Sequence, residues 1–272
     1  MPLELYLLII LMGLVAGSFL GALTYRLPRG ISIVNANKGR SFCPKCKKTI
    51  AWFDNIPLLS YLILGGKCRN CKKSISIREP IIEFGTAAVF GAIFYFYSNC
   101  AGLKTTGSLL CGVESKLGHL TLPYLLTVAL ALIIIFAIDF EHQVILDEIT
   151  FFLFTLSFTV AVLFFPESFY IRLFSAFTAA SSLLFLHIIT KGRGMGLGDV
   201  KFCLFGGLFL SGLYTIIWLF LSFIIGALVG VVLLLAGKAK IGRQIPFGPF
   251  LVAALFITLF FGDYLLKLFL KL

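Results

Sequence analysis

The chain has 272 residues, 60% of them hydrophobic and 13% charged, and a formal net charge of +11. Soluble globular chains carry about a quarter charged residues, so this composition, with a mean hydropathy of +1.04, excludes a large soluble domain and reads as an integral membrane protein. The positive excess lies in short segments between apolar runs, which makes it a topology signal and disfavours a nucleic-acid partner.

Apolar stretches of roughly 17–25 residues are long enough to cross a bilayer. In chain order they are residues 3–25, 81–97, 122–138, 149–165, 171–190, 213–236 and 250–266. The first run lacks a preceding basic segment and leads into Arg26 rather than a small-residue cleavage site, so it reads as a retained span, not a cleaved signal peptide. A further apolar piece, 200–211, is short for a full span and reads as a tilted or half-depth helix starting at Leu197. The expected fold is an all-α polytopic membrane protein with about eight transmembrane helices. Its expected division is a first transmembrane helix (1–26), a cysteine loop (27–80) and a transmembrane core (81–272).

Twelve lysines and arginines fall between Arg26 and Arg78, including Lys38 and Arg40. Lys191 and Arg193 lie in one later loop, and Lys238, Lys240 and Arg243 in another. Loops of the opposite parity hold only Lys104, Lys116 and Arg172. The positive-inside rule then puts the basic loops in the cytoplasm and the N-terminus outside, with the C-terminus outside as well if 200–211 counts as a span.

The polar stretch 27–80 contains Cys43-Pro-Lys-Cys46 and Cys68-Arg-Asn-Cys71, two knuckles separated by 21 residues. Each C-x-x-C turn delivers two thiolates to one ion, and two such turns complete a tetrahedral site, so Cys43, Cys46, Cys68 and Cys71 read as a zinc ribbon. Redox chemistry is the alternative. A reducing cytoplasm favours metal-bound thiolates, and a loop too small for its own core gains most from a metal. Cys100 and Cys111 form a disulfide if their face is oxidising, or remain two thiols. Residues 99–118, rich in Gly, Ser and Thr, read as an exposed loop, and Cys203 as a small buried hydrophobe.

Two acids stand where a membrane chain tolerates them least. Asp139 ends the third apolar run, and Asp199 closes Gly194-Met-Gly-Leu-Gly-Asp199 just before 200–211. Ionisable groups at such positions mark function by default, each with a named partner, and here each acid is the other's natural partner. The expected topology puts both on the cytoplasmic face. Two carboxylates at close range hold one proton between them, so one can activate water while the other polarises a carbonyl. Gly196 and Gly198 let the backbone of that loop approach an extended substrate. Plainer readings remain open: Asp199 capping its own helix with Lys201 snorkelling, Asp139 as an interfacial acid beside Glu141 and His142, and Asp147 and Glu148 as the N-cap and first-turn acid of the next span. A phosphate-binding loop fits poorly, because this sequence offers an acid where a phosphate wants a lysine.

Several motifs in order resemble one family, the bacterial type IV prepilin peptidases. Gly13-Leu-Val-Ala-Gly-Ser-Phe-Leu20 followed by Tyr25-Arg-Leu-Pro28 is similar to its first span and exit. Ser41-Phe-Cys-Pro-Lys-Cys46, Asp54-Asn-Ile-Pro57, Ser60-Tyr-Leu62, Gly66-Lys-Cys-Arg69 and Ile75-Ser-Ile-Arg78 with Pro80 and Glu83 resemble its cysteine loop. Gly194–Lys201 resembles the signature of the GxGD aspartyl proteases, and Ile245-Pro-Phe-Gly-Pro-Phe250 the stretch leading into the last span. The resemblance implies cleavage of the basic leader of prepilins and pseudopilins at the cytoplasmic membrane face, then N-methylation of the new terminus with S-adenosylmethionine. It assigns the catalytic places to Asp139 and Asp199 and methylation to the cysteine loop, with Asp54 and Glu83 as candidates for cofactor binding. One departure is Leu146-Asp147 where the family has Pro-Asp, which leaves Asp147 as the alternative partner. The rivals are a GxGD protease that does not methylate and a cation transporter with a paired-acid site.

Overall fold

Long runs of Leu, Ile, Phe and Ala satisfy their backbone polar groups within the chain only as helices when water is absent. Helices accordingly dominate the structure, a computed structural model that describes residues 3–30, 41–102, 109–192, 194–237 and 245–270. The basic positions Lys38, Arg40, Lys104, Arg193, Lys238, Lys240 and Arg243 lie outside the described residues. In order the helices are α1 (Leu3–Arg26), α2 (Leu59–Ile63), α3 (Arg78–Gly102), α4 (Leu109–Leu117), α5 (Thr121–His142), α6 (Asp147–Phe164), α7 (Phe169–Ile189), α8 (Leu197–Leu210), α9 (Gly212–Leu235) and α10 (Gly248–Leu270). Seven helical segments are long and apolar enough to cross a membrane. The eighth expected piece, α8, starts at Leu197 and is only 14 residues long. No strand occurs among the described residues.

The chain divides into two compact units: Met1–Ser98 with Leu125–Ala137, and Asn99–Tyr124 with Ile138–Leu272. In the first, α1 meets α3 along a stripe of small residues. A Cβ at Gly13 would stand 2.7 Å from the Ala87 Cα, and one at Gly17 2.7 Å from the Glu83 Cα. Lipid tails are as apolar as leucine, so helices in a bilayer associate by such close packing rather than by hydrophobic burial.

In the second unit α8 is enclosed on nearly all sides, with Phe202, Cys203 and Phe205 fully buried. Gly207 lies against the α7 backbone, where a Cβ would be 2.7 Å from the Ala176 Cα. A helix this short ends inside the protein and exposes carbonyls that no water can satisfy. Arg172 of α7 answers that need. Its Nη1 donates to the carbonyls of Leu208 at 3.2 Å and Phe209 at 3.1 Å, and its guanidinium lies 4.0 Å from the centre of the Phe165 ring. Ser175 Oγ accepts the Gly212 N–H at 2.8 Å just beyond. Arg172→Ala is expected to cost about 1.5–3 kcal/mol, the range for hydrogen bonds to a charged group. Thermal denaturation in detergent would register this as a lower midpoint.

The segment expected to be a plain exposed loop contains α4. Leu110, Val113 and Leu117 fall on one helical face and are buried, with Val113 and Leu117 packed against Phe165. Their i, i+3, i+7 spacing is the signal that the Gly, Ser and Thr content obscured. Cys100 and Cys111 are joined in a disulfide that fastens this helix to the end of α3.

Candidate active site and metal centre

The cysteine segment folds through two near-identical knuckles. Cys43 N–H donates to Lys48 O at 3.0 Å and Cys68 N–H to Lys73 O at 2.9 Å. Lys47 and Lys72, at the same position of each knuckle, turn the chain with φ of 57° and 56°. Isolated bridges Phe42–Thr49 and Lys67–Ser74 close the two turns. The four sulfurs then converge within 4.8 Å of one another, and Cys43 Sγ and Cys71 Sγ are 4.0 Å apart. Tetrahedral Zn–S bonds of ~2.3 Å require S···S separations of about 3.8 Å, so the donor set fits one metal ion. Backbone N–H groups of Cys71 and Asn70 bring the Cys68 thiol down to about 7, while burial and the neighbouring thiols push Cys46 up to about 11.

Asp54 and Glu83 have clear partners. Asp54 sits in a 3-10 turn, Trp52–Asn55, and takes the Arg69 fork through Nε at 2.8 Å and Nη2 at 2.7 Å, which ties it to the second knuckle. That hydrogen-bonded guanidinium holds the Asp54 carboxyl below the usual carboxylate range. Glu83, buried on α3, accepts the Leu58 N–H at 2.7 Å.

In the second unit, each candidate acid is fixed by a glycine N–H at the start of a helix. Asp199 is the third residue of α8, and its Oδ2 accepts the N–H of Gly196, the residue preceding that helix, at 3.1 Å. This is half of a capping box; glycine has no side chain to complete the other half. Asp139 lies near the end of α5, and its Oδ2 accepts the N–H of Gly248, the first residue of α10, at 2.9 Å. Each carboxylate therefore sits at the positive end of a helix dipole. Asp139 is 5% and Asp199 7% exposed, near enough for the charge of Asp139 to bear on Asp199. Both carboxylates belong to the second unit.

The acids with plainer readings separate from this pair. Asp147 is exposed and bonds Lys201 Nζ through both oxygens, at 2.7 and 2.8 Å. It opens α6 as its first residue instead of capping it, since the preceding Leu146 occupies the N-cap position. Lys201 reaches Asp147 rather than simply snorkelling. The loop glycines mainly serve the chain itself: the Gly196 N–H is committed to Asp199, and a Cβ on Gly198 would stand 2.9 Å from Ile145.

Sequence reasoning gave no role to two residues that hold this arrangement. His187 at the end of α7 bonds the Met195 carbonyl through Nδ1 at 2.6 Å and so anchors the glycine loop. Gly248 leaves room for the Asp139 carboxylate, since a Cβ there would stand 2.6 Å from Asp139 Oδ2. The visible signal was a glycine between Phe247 and Pro249 just before an apolar run, a helix-start pattern. Gly248→Ala is expected to displace the Asp139 carboxylate and so lower about 10²-fold any turnover that depends on it. Circular dichroism should show helix content retained while product formation falls.

Comparison with known proteins places the chain among bacterial peptidases. Residues 11–97 match the Bacterial Peptidase A24 N-terminal domain, and residues 126–231 match the Type IV leader peptidase family. The prepilin leader peptidase/N-methyltransferase of Pseudomonas aeruginosa is 31% identical over an alignment covering 99% of this chain and 95% of the relative. The protein of that name from Bacillus subtilis is 31% identical, covering 97% of each, and that from Legionella pneumophila 31% identical, covering 96% and 93%. No solved structure matches the chain.

Proposed function

Because this chain belongs to the type IV leader peptidase family, we propose that it cleaves the leader of type IV prepilins and pseudopilins and N-methylates the terminus so exposed. Asp139 and Asp199 are the catalytic residues in this reading, and the enzyme is a GxGD aspartyl protease. The single observation that carries it is the pair of buried carboxylates in one compact unit, each held by a helix-start N–H. With one proton between them, the ionised acid takes a proton from water while the water oxygen adds to the scissile carbonyl carbon. The protonated acid gives its proton to the carbonyl oxygen. Return of a proton to the amide nitrogen lets the C–N bond break, and no covalent enzyme intermediate forms.

The protein is a multi-pass bacterial cytoplasmic-membrane enzyme in this reading, with its active site on the cytoplasmic side. Charge asymmetry supports the orientation, since 12 of the 23 lysines and arginines fall from Arg26 to Arg78. Residues 1–26 form the first transmembrane helix, 27–80 the cytoplasmic cysteine domain and 81–272 the protease core. Gly196 and Gly198 shape the loop that an extended leader passes. Zinc is the metal of Cys43, Cys46, Cys68 and Cys71, held structurally by a closed set of four thiolates.

Methylation requires S-adenosylmethionine, which supplies the methyl group. Asp54, engaged through both oxygens by Arg69, and Glu83, with one oxygen on the Leu58 N–H, are the candidates for holding it. A cleavage assay with a synthetic prepilin, run with and without S-adenosylmethionine, tests the reading. Mass spectrometry should show loss of the leader in both cases and one added methyl group only with the donor. Cleavage without methylation in the presence of donor would favour a GxGD protease that does not methylate.

A further inference from the structure

The cysteine domain carries an apolar surface that its own fold leaves uncovered. Trp52, Leu62 and Ile63 are 81%, 74% and 70% exposed, and Phe53, Ile56 and Leu59 are exposed beside them. These side chains come from the 3-10 turn Trp52–Asn55 and the short helix α2. A polar loop projecting into water has no use for such a surface.

A partly buried bond ties this segment to α3. Leu58, between the 3-10 turn and α2, has φ of 58°, a conformation unfavourable for a branched side chain. Its N–H is held at 2.7 Å by Glu83 of α3. Glu83 lies five residues beyond Arg78, where the membrane-spanning helix begins, or about 7.5 Å along the helix axis. The interfacial layer of a bilayer is roughly 5–8 Å thick on each side. On α3 itself Ile81 and Phe84, flanking Glu83 in sequence, are already exposed as a lipid-facing surface should be.

We infer that residues 52–63 lie in the headgroup layer of the bilayer as an interfacial anchor of the cysteine domain, with Trp52, Leu62 and Ile63 inserted among the lipids. Charge complementarity favours this occupant. The stretch 41–77 holds Lys45, Lys47, Lys48, Lys67, Lys72 and Lys73 and a single acid, Asp54, which Arg69 engages. Such a surface is drawn to anionic headgroups, and tryptophan concentrates at that depth. The apolar segment of a protein substrate is the rival occupant. Lipid is favoured because the segment is tied through Leu58 to α3, whose Ile81 and Phe84 are exposed.

The inference rests only on α1 and α3 crossing the bilayer, not on the chemistry of the acid pair. The full chain would be reconstituted in vesicles containing anionic phospholipid, with no substrate present. The emission of Trp52 is obtained as the difference between the wild type and Trp52→Phe, since the other tryptophan, Trp218, is fully buried. Lipids brominated near the headgroup should quench most of that difference, and aqueous iodide little of it. A Leu62→Trp reporter in the Trp52→Phe background should behave the same way. Iodide quenching without lipid quenching would overturn the inference by placing the segment in water. Protection from both quenchers, or lipid contact that appears only after prepilin is added, would overturn it in favour of a protein-binding face. Extraction of the chain from vesicles by alkaline carbonate would instead defeat the membrane-spanning reading itself.

Discussion

Asp199→Asn is expected to reduce leader cleavage by on the order of 10⁴-fold, the upper range for loss of an acid–base group. Asparagine keeps an oxygen that can accept the Gly196 N–H, so the start of α8 should persist and the loss should be chemical rather than structural. Asp139→Asn should behave alike, because its amide oxygen can still accept the Gly248 N–H. The two losses should not add, since residues that act as one unit fail together. A prepilin cleavage assay with purified protein measures the effect, and a pre-cleaved pilin supplied with methyl donor should still be methylated by either variant. Cleavage retained by purified Asp199→Asn would remove the catalytic assignment. In the wild type, kcat/KM should follow a bell in pH whose two limbs belong to the pair and not to either acid alone.

The second large effect concerns the metal. Elemental analysis of reduced protein is expected to find one zinc ion per chain, and Cys43→Ser combined with Cys71→Ser should abolish it. Structural zinc contributes about 10–16 kcal/mol of apparent binding free energy at neutral pH. Segments below about 40 residues rarely fold without such a support, and 41–77 has almost no buried apolar side chains besides Cys43. The metal-free domain should therefore become protease-sensitive. Methylation should fall with it, and cleavage far less, because Asp139 and Asp199 belong to the other compact unit. Full metal content in the double variant, or a fully protected domain without metal, would refute the zinc-ribbon reading.

The residues of both candidate centres were legible because they stand out by type and spacing. Four cysteines in two C-x-x-C turns specify a tetrahedral donor set whatever surrounds them, and the knuckles repeat the same hydrogen bonds and the same left-handed lysine. The acids were legible because a carboxylate beside an apolar run is costly and rare. Even the unusual short helix was visible, since 200–211 is too brief to span. The sequence was misleading where composition spoke louder than periodicity: the Gly, Ser and Thr of 99–118 masked the buried face of Leu110, Val113 and Leu117.

Local pattern by itself determined the helices, the approximate span count, the metal donors and the two acids, because each follows from the period or chemistry of neighbouring residues. Only the tertiary structure decided which group each acid meets. Asp139 faces the first residue of α10, more than a hundred positions away, whereas Asp147 is drawn off by Lys201. It also decided why α8 stops where it does, through an arginine on α7 that no feature of α8 announces. Partners of this kind depend on distances in space between segments remote along the chain, and a helical period carries no information about those distances.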